Sequence, residues 1–349
     1  MHTVDLLILA AYGAGMLLVG LHFHRRQTDL EEYLVGGRRM GAGHIGMSVV
    51  ATDVGGGFSI GLGGLGFVMG LSASWLLFTG LLGAWLSAVF LLPRVKALGQ
   101  TLGHRSFPAF LGHRFGEPTR LLAAVVSAVG YAGFTGAQIL AGATLAAAAF
   151  DVPMLPAVAG MSVVIVAYTA LGGLEAVVFT DTLQWGVLFL GLGLLGLPLS
   201  LRAVGGVEGL VEALPPGHLS LTNIGLGQFA TWMVTIVPVW FVAMTVYQRI
   251  HATRDLQTAR RAWFFAGLLE YPGMAFLGAT LGMCARVLYP AADPEMGLPL
   301  LVRDVLPAGA TGLVLAAYFA AIMSTADSCL LASVGNLVDD IVGRHVAPA

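Results

Sequence analysis

Charge is what this chain has least of. Lys and Arg together number 17 and Asp and Glu 19, so 10% of the 349 residues are charged, against about 25% in soluble domains. That scarcity excludes an ordinary soluble fold of two or three domains. A net charge of -2 also weighs against nucleic acid as a partner. Cysteine is nearly missing: Cys284 and Cys329 lie in different apolar runs and read as packing residues, not as a disulfide framework. The chain lacks a Walker A pattern, HExxH and GxSxG, so ATP hydrolysis by the chain itself and the common hydrolytic chemistries have no footing. We therefore do not expect an enzyme. His22 and His24 have no acidic or Cys neighbours, and read as a solvated interfacial pair before a metal site.

What the chain has instead is apolar length. Apolar residues make up 57% and Gly supplies 48 positions, about twice the usual share. Uncharged runs of about 20 residues are candidate transmembrane helices. Nine are counted, at about 6–23, 42–70, 74–93, 121–150, 154–172, 183–201, 224–247, 262–285 and 309–334. The first has no basic leader and no small-residue cleavage site, so it is expected to be a span and not a signal peptide. No long polar segment separates the runs, which predicts one all-α membrane domain over residues 1–349. The letters GxGxxG at Gly61–Gly66 lie inside an apolar run with no preceding strand, and suit helix packing better than a dinucleotide.

Basic residues predict the orientation. If every run crosses, 14 of the 17 fall on one side: Arg25, Arg26, Arg38 and Arg39; Arg94, Lys96, Arg105, Arg114 and Arg120; Arg249, Arg254, Arg260 and Arg261; and Arg344. The positive-inside rule then puts the N-terminus outside and the C-terminus in the cytoplasm.

Polar residues within the runs are the functional candidates, because an ionisable group at a helix centre costs at least ~2.5 kcal/mol. Asp53 precedes Gly55-Gly56-Gly57 and a further set of glycines, a composition suited to a broken helix whose freed carbonyls line a cavity. The last run carries Ala321, Ser324 and Thr325. Two adjacent hydroxyls and a carbonyl one turn upstream form an all-oxygen set that suits a hard monovalent cation; ordinary back-bonding to the i−4 carbonyl is the competing reading. Glu175 and Asp181 flank the turn expected at Gly172-Gly173, where Asp181 reads equally as a helix cap or as part of an ion path. Gln138 and Glu270 could line a polar route. Trp232, Trp240, Phe241 and Tyr247 surround Pro238, either as a substrate wall or as interface anchors.

In this order the pieces resemble the sodium:solute symporter family, which includes sodium-coupled sugar, proline, pantothenate and monocarboxylate carriers. The resemblance runs from about Tyr33 to the end of the chain. It rests on Glu32-Tyr33-Leu34-Val35-Gly36-Gly37-Arg38, on Tyr168 through Gln184, on Gln248-Arg249 followed by Ala259-Arg260-Arg261, and on Ala320 through Ser328 with Leu330-Leu331. It implies a leucine-transporter-type inverted-repeat helix bundle around a midplane site. Residues 1–41 would be a peripheral first helix and its loop, 42–202 a complete five-helix repeat, and 203–349 three helices of a second, as in a C-terminally truncated member. Sodium, the coupling ion, would be held by Ala51, Val54, Ala321, Ser324 and Thr325. Asp53 and Asp181 would take part in ion coupling. Gln138, Trp240 and Glu270 are the candidate solute contacts. Phe241, Val242 and Ala243 stand where sugar carriers have an Asn-Gln pair, so an amino acid or carboxylate is expected over a sugar. The expected function is sodium-driven import of a small organic solute across the cytoplasmic membrane. The alternatives are a proton-coupled carrier, a solute sensor, or a transport-inactive relative.

Overall fold

In the computed structural model, residues 2–25, 29–55 and 61–346 are described. Among them the chain is helical, with one isolated bridge pairing Met40 and Thr253 and no strand. The principal helices are α1 (Thr3–His24), α2 (Ala42–Asp53), α3 (Gly63–Met69), α4 (Trp75–Phe90), α5 (Leu92–Leu102), α6 (Glu117–Phe150) and α7 (Met154–Leu188). After these come α8 (Leu197–Ala203), α9 (Leu226–Val242), α10 (Met244–Ala252), α11 (Leu256–Leu268), α12 (Phe276–Leu288) and α13 (Ala310–Gly335). Shorter helices at Leu30–Val35, Phe107–Phe115, Gly206–Ala213 and Gly297–Val305 connect them.

Six helical stretches are long and apolar enough to cross a membrane, or up to seven if the bent pair α9–α10 is one span. Nine were expected, and the difference lies in how glycine interrupts helices. Met154–Ala203 runs as one 50-residue apolar stretch. The turn expected after Gly172 is a single-residue break, with Gly173 at φ 55 and ψ -161. No side chain is easily accommodated there. Gly63–Phe90 likewise runs through Gly70, at φ 66. By contrast α2 is 12 residues long and too short to be counted by itself. Part of the glycine-dense stretch singled out after Asp53, including Gly56 and Gly57, falls on residues 56–60, and these, like Arg26, lie outside the described residues.

α13 is the axis of the bundle. Nearly all of it is buried, against half or less of most other spans, because α1, α6, α7 and α2 all pack on it. Small residues make that packing possible. Gly20 of α1 lies against the Tyr168 backbone, Gly191 faces Leu313 and Ala317, and Gly312 faces Asp5. The first helix does more than cover a surface. Asp5, 1% exposed, accepts from the backbone N–H groups of Gly309 (2.7 Å) and Gly312 (2.9 Å), and so caps the start of α13.

Candidate functional site

The carbonyl end of α2 and the middle of α13 meet through consecutive residues. Ser324 Oγ donates to the Ala51 carbonyl at 2.9 Å and lies 3.0 Å from the Ala321 carbonyl. Thr325 Oγ1 donates to the Thr52 carbonyl at 2.8 Å, with the Ala321 carbonyl at 3.4 Å. Both hydroxyls therefore reach across to α2 besides bonding back along their own helix. Gly55 allows the approach, since a Cβ there would run into the Thr325 side chain. Ala51, Val54, Ala321 and Ser324 line one small hollow together with Gln184. Thr325 opens on the other side.

That other side is a cavity of about 420 Å³. Its wall includes Asp53, Gln138, Trp240 and Thr325, so the structure brings together two of the three proposed solute contacts with the α2 carboxylate. The rest is largely aromatic and aliphatic: Tyr131, Phe134, Val49 and Val239. Of the aromatic cluster expected around Pro238, Trp240 alone faces the cavity. Tyr247 is turned away against Phe107 and Phe110. Glu270 does not line the cavity; it is fully buried in the irregular turn Leu269–Ala275 that carries Pro272. Its sole charged neighbour among the described residues is Asp53.

Beneath the cavity lies a buried polar network that the sequence reading did not assemble. Arg249 of α10 is 1% exposed and donates to Ser48 Oγ (2.8 Å), Ser328 Oγ (2.6 Å), Asp181 Oδ2 (3.1 Å) and the Thr245 carbonyl (3.3 Å). Ser48 also donates to Asp181. Ser328 lies 3.0 Å from Thr52 Oγ1 and 3.2 Å from Asp327 Oδ1, and Tyr168 OH donates to Asp327 Oδ2 at 2.7 Å. Four helices are thus cross-linked: α2 through Ser48 and Thr52, α7 through Tyr168 and Asp181, α10 through Arg249, and α13 through Asp327 and Ser328. Asp181 sits well inside α7, eight residues past the break at Gly173, and so is not a helix cap. Asp53 and Asp181 are in separate environments, the cavity wall and this network.

Arg249, Asp327 and Tyr168 were the residues missed. Arg249 follows an apolar run and so reads as one more interfacial cation; its partner Asp181 is 68 residues away. The one signal available was that Asp327 falls within an apolar run, and Asp181 two residues before one, where a carboxylate calls for a cation or donor. α10 is held in place from below by Lys96 of α5, outside the membrane-spanning stretches. Its ammonium donates to the carbonyls of Ile250 (3.2 Å) and Thr253. Burial pushes the Lys96 ammonium down from 10.5 to about 8, and the Arg38 charge nearby acts in the same direction.

The sequence profile described as the Sodium:solute symporter family matches residues 33–346. The high-affinity proline transporter PutP of Bacillus subtilis is 28% identical, an alignment covering 93% of this chain and 71% of PutP. The sodium/myo-inositol cotransporter 2 of Oryctolagus cuniculus is also 28% identical, over 99% of this chain and 57% of that protein. Among solved structures, a Na+-coupled sialic acid symporter in a substrate-bound outward-open state superposes with a TM-score of 0.89 at 22% identity. It covers 99% of this chain and 76% of that one. The fold is the one that symporter has.

Proposed function

The chain belongs to the sodium:solute symporter family, and from that premise we propose that it is a multi-pass carrier coupling sodium entry to import of a small organic solute. The observation that carries this reading is the meeting of α2 and α13. Four of the five residues assigned to sodium share one hollow, and the fifth, Thr325, is the neighbour of Ser324 on the face toward the solute cavity. The oxygens there are carbonyls and hydroxyls without formal charge, the set a weakly held hard cation needs if it is to be released on the far side. Sodium supplies the work, about 2.3 kcal/mol per charge per 100 mV plus the concentration term. No covalent bond changes.

The same reading counts nine spans, by ending one at Gly70, one at Gly173, and taking α2 with α3 as a broken first core helix. They form a complete five-helix repeat and three helices of a second, with the N-terminus outside the cytoplasmic membrane. Asp53 tunes the ion from the cavity side and Asp181 from the network. Gln138 and Trp240 contact the solute. With Val239 and Ala243 on the wall and no Asn-Gln pair, an amino acid or carboxylate fits better than a sugar. In proteoliposomes with an imposed inward sodium gradient, uptake is expected, to stop when choline replaces sodium at fixed pH, and to be lost in Ser324→Ala/Thr325→Ala. Uptake at the wild-type rate and sodium affinity in that double variant overturns the site.

A further inference from the structure

Gln184 of α7 carries an oxygen that nothing described so far explains. The side chain is 1% exposed, and among the described residues its Oε1 has no hydrogen-bond partner. A buried amide oxygen left alone costs about 1–3 kcal/mol, so it calls for something to bond. Its place points to what that is. Gln184 lines the small hollow with Ala51, Val54, Ala321 and Ser324. The hollow has about 10 Å³ of free space, room for one occupant about the size of a water molecule. The oxygens assigned to sodium are thus joined by one more of the same neutral kind.

The nitrogen of that amide is held by a helix that supplies none of the ion oxygens. Gln184 Nε2 donates to Tyr12 OH of α1 at 3.2 Å, and that hydroxyl directs its own hydrogen to Met323 Sδ, 3.8 Å away. A thioether sulfur can only accept. The Tyr12 oxygen therefore serves Gln184 as an acceptor, and an acceptor matches the NH2 of the amide, not its carbonyl. Met323 precedes Ser324, so this chain of bonds both starts and ends beside the ion hollow. Tyr12 stands on the stripe of α1 that carries the buried Asp5, Met16, Gly20 and Phe23, at spacings of three, four and seven that keep one face toward the bundle.

We propose that Tyr12 is a positioning residue for the sodium site: it selects the orientation of the Gln184 amide that leaves the carbonyl oxygen, and not the NH2, for the ion. The reversed amide would present N–H donors to the Ala51, Val54 and Ala321 carbonyls and occupy the lone pairs that a cation needs. One hydroxyl of α1 then decides between a hollow open to sodium and one closed by the protein's own amide. The inference rests on the sodium-site reading and adds to it a residue and a helix.

The test is a NaCl titration of the melting temperature of the purified full chain, with choline chloride making up the ionic strength, which yields an apparent sodium dissociation constant. Tyr12→Phe removes the hydroxyl alone and is expected to weaken sodium about five- to tenfold, the worth of one net hydrogen bond. Adding Gln184→Glu to that variant should restore the affinity, because a carboxylate offers an oxygen whichever way it turns. A merely structural role of Tyr12 would not be repaired by that change. Gln184→Met, close in volume and without the oxygen, is expected to weaken sodium at least as much, and this arm does not depend on Tyr12→Phe folding. Wild-type sodium affinity in Tyr12→Phe or in Gln184→Met overturns the inference. So does a loss in Tyr12→Phe that Gln184→Glu leaves unrepaired. Absence of any sodium shift in the wild type brings down the ion site and this inference together. A wild-type shift that Tyr12→Phe leaves unaltered spares the site and sinks the role of Tyr12 alone.

Discussion

A guanidinium at 1% exposure survives in an apolar bundle because each of its nitrogens has an oxygen to bond. Arg is suited to this, since its planar fork serves several acceptors at once and is less strongly hydrated than an ammonium. Removing one member of a buried pair costs about 3–5 kcal/mol because the other charge is left alone. Arg249→Met is therefore expected to lower thermal stability in a single detergent by that order, and Arg249→Lys to restore part of it. The double variant Arg249→Met/Asp181→Leu should recover part of the loss, because the Asp181 charge leaves with its partner while Asp327 stays buried with Tyr168 and Ser328 beside it. If the two single losses simply add in the double variant, the pair is not coupled as the distances say.

At the scale of elements, the break in α7 matters most. Gly173 has φ 55 and ψ -161, a conformation that only glycine adopts without strain. It bends the chain between Tyr168 and Asp181, which meet different partners, Asp327 and Arg249. Gly173→Ala should cost about 1–3 kcal/mol in thermal stability, while Gly160→Ala, where a Cβ meets open space, should be neutral or slightly stabilising. Equal melting temperatures for the two variants would contradict the strained geometry. These elements also mark how far the sequence could be read. Uncharged length located nearly every span, and Gly172-Gly173 announced the turn, because both signals are local. The number of spans differed because a glycine break leaves hydropathy unchanged on either side of it. Ser324, Thr325, Ala51 and Val54 were legible through resemblance and lie together. Arg249, Asp327 and Tyr168 were not, since what defines them is a partner on another helix, and charge alone does not reveal whether a side chain turns inward or out to water.

For the whole molecule, a ligand that binds only the folded state adds stability by mass action. Sodium at 100 times its dissociation constant should contribute about 2.7 kcal/mol. Thermal unfolding in NaCl against choline chloride is expected to show that gain in the wild type and none in Ser324→Ala/Thr325→Ala; identical curves in the two salts would argue against a sodium site anywhere in the chain. One arrangement has a mechanical side. Consecutive hydroxyls of α13, Ser324 and Thr325, engage consecutive carbonyls of α2, Ala51 and Thr52. They mesh as teeth on a rack. Sliding one helix along the other by less than a residue's rise, about 1.5 Å, disengages both teeth without seating either in the next notch. Relative travel of the two helices is thus indexed and not continuous, and a bundle with such a detent rests in discrete positions.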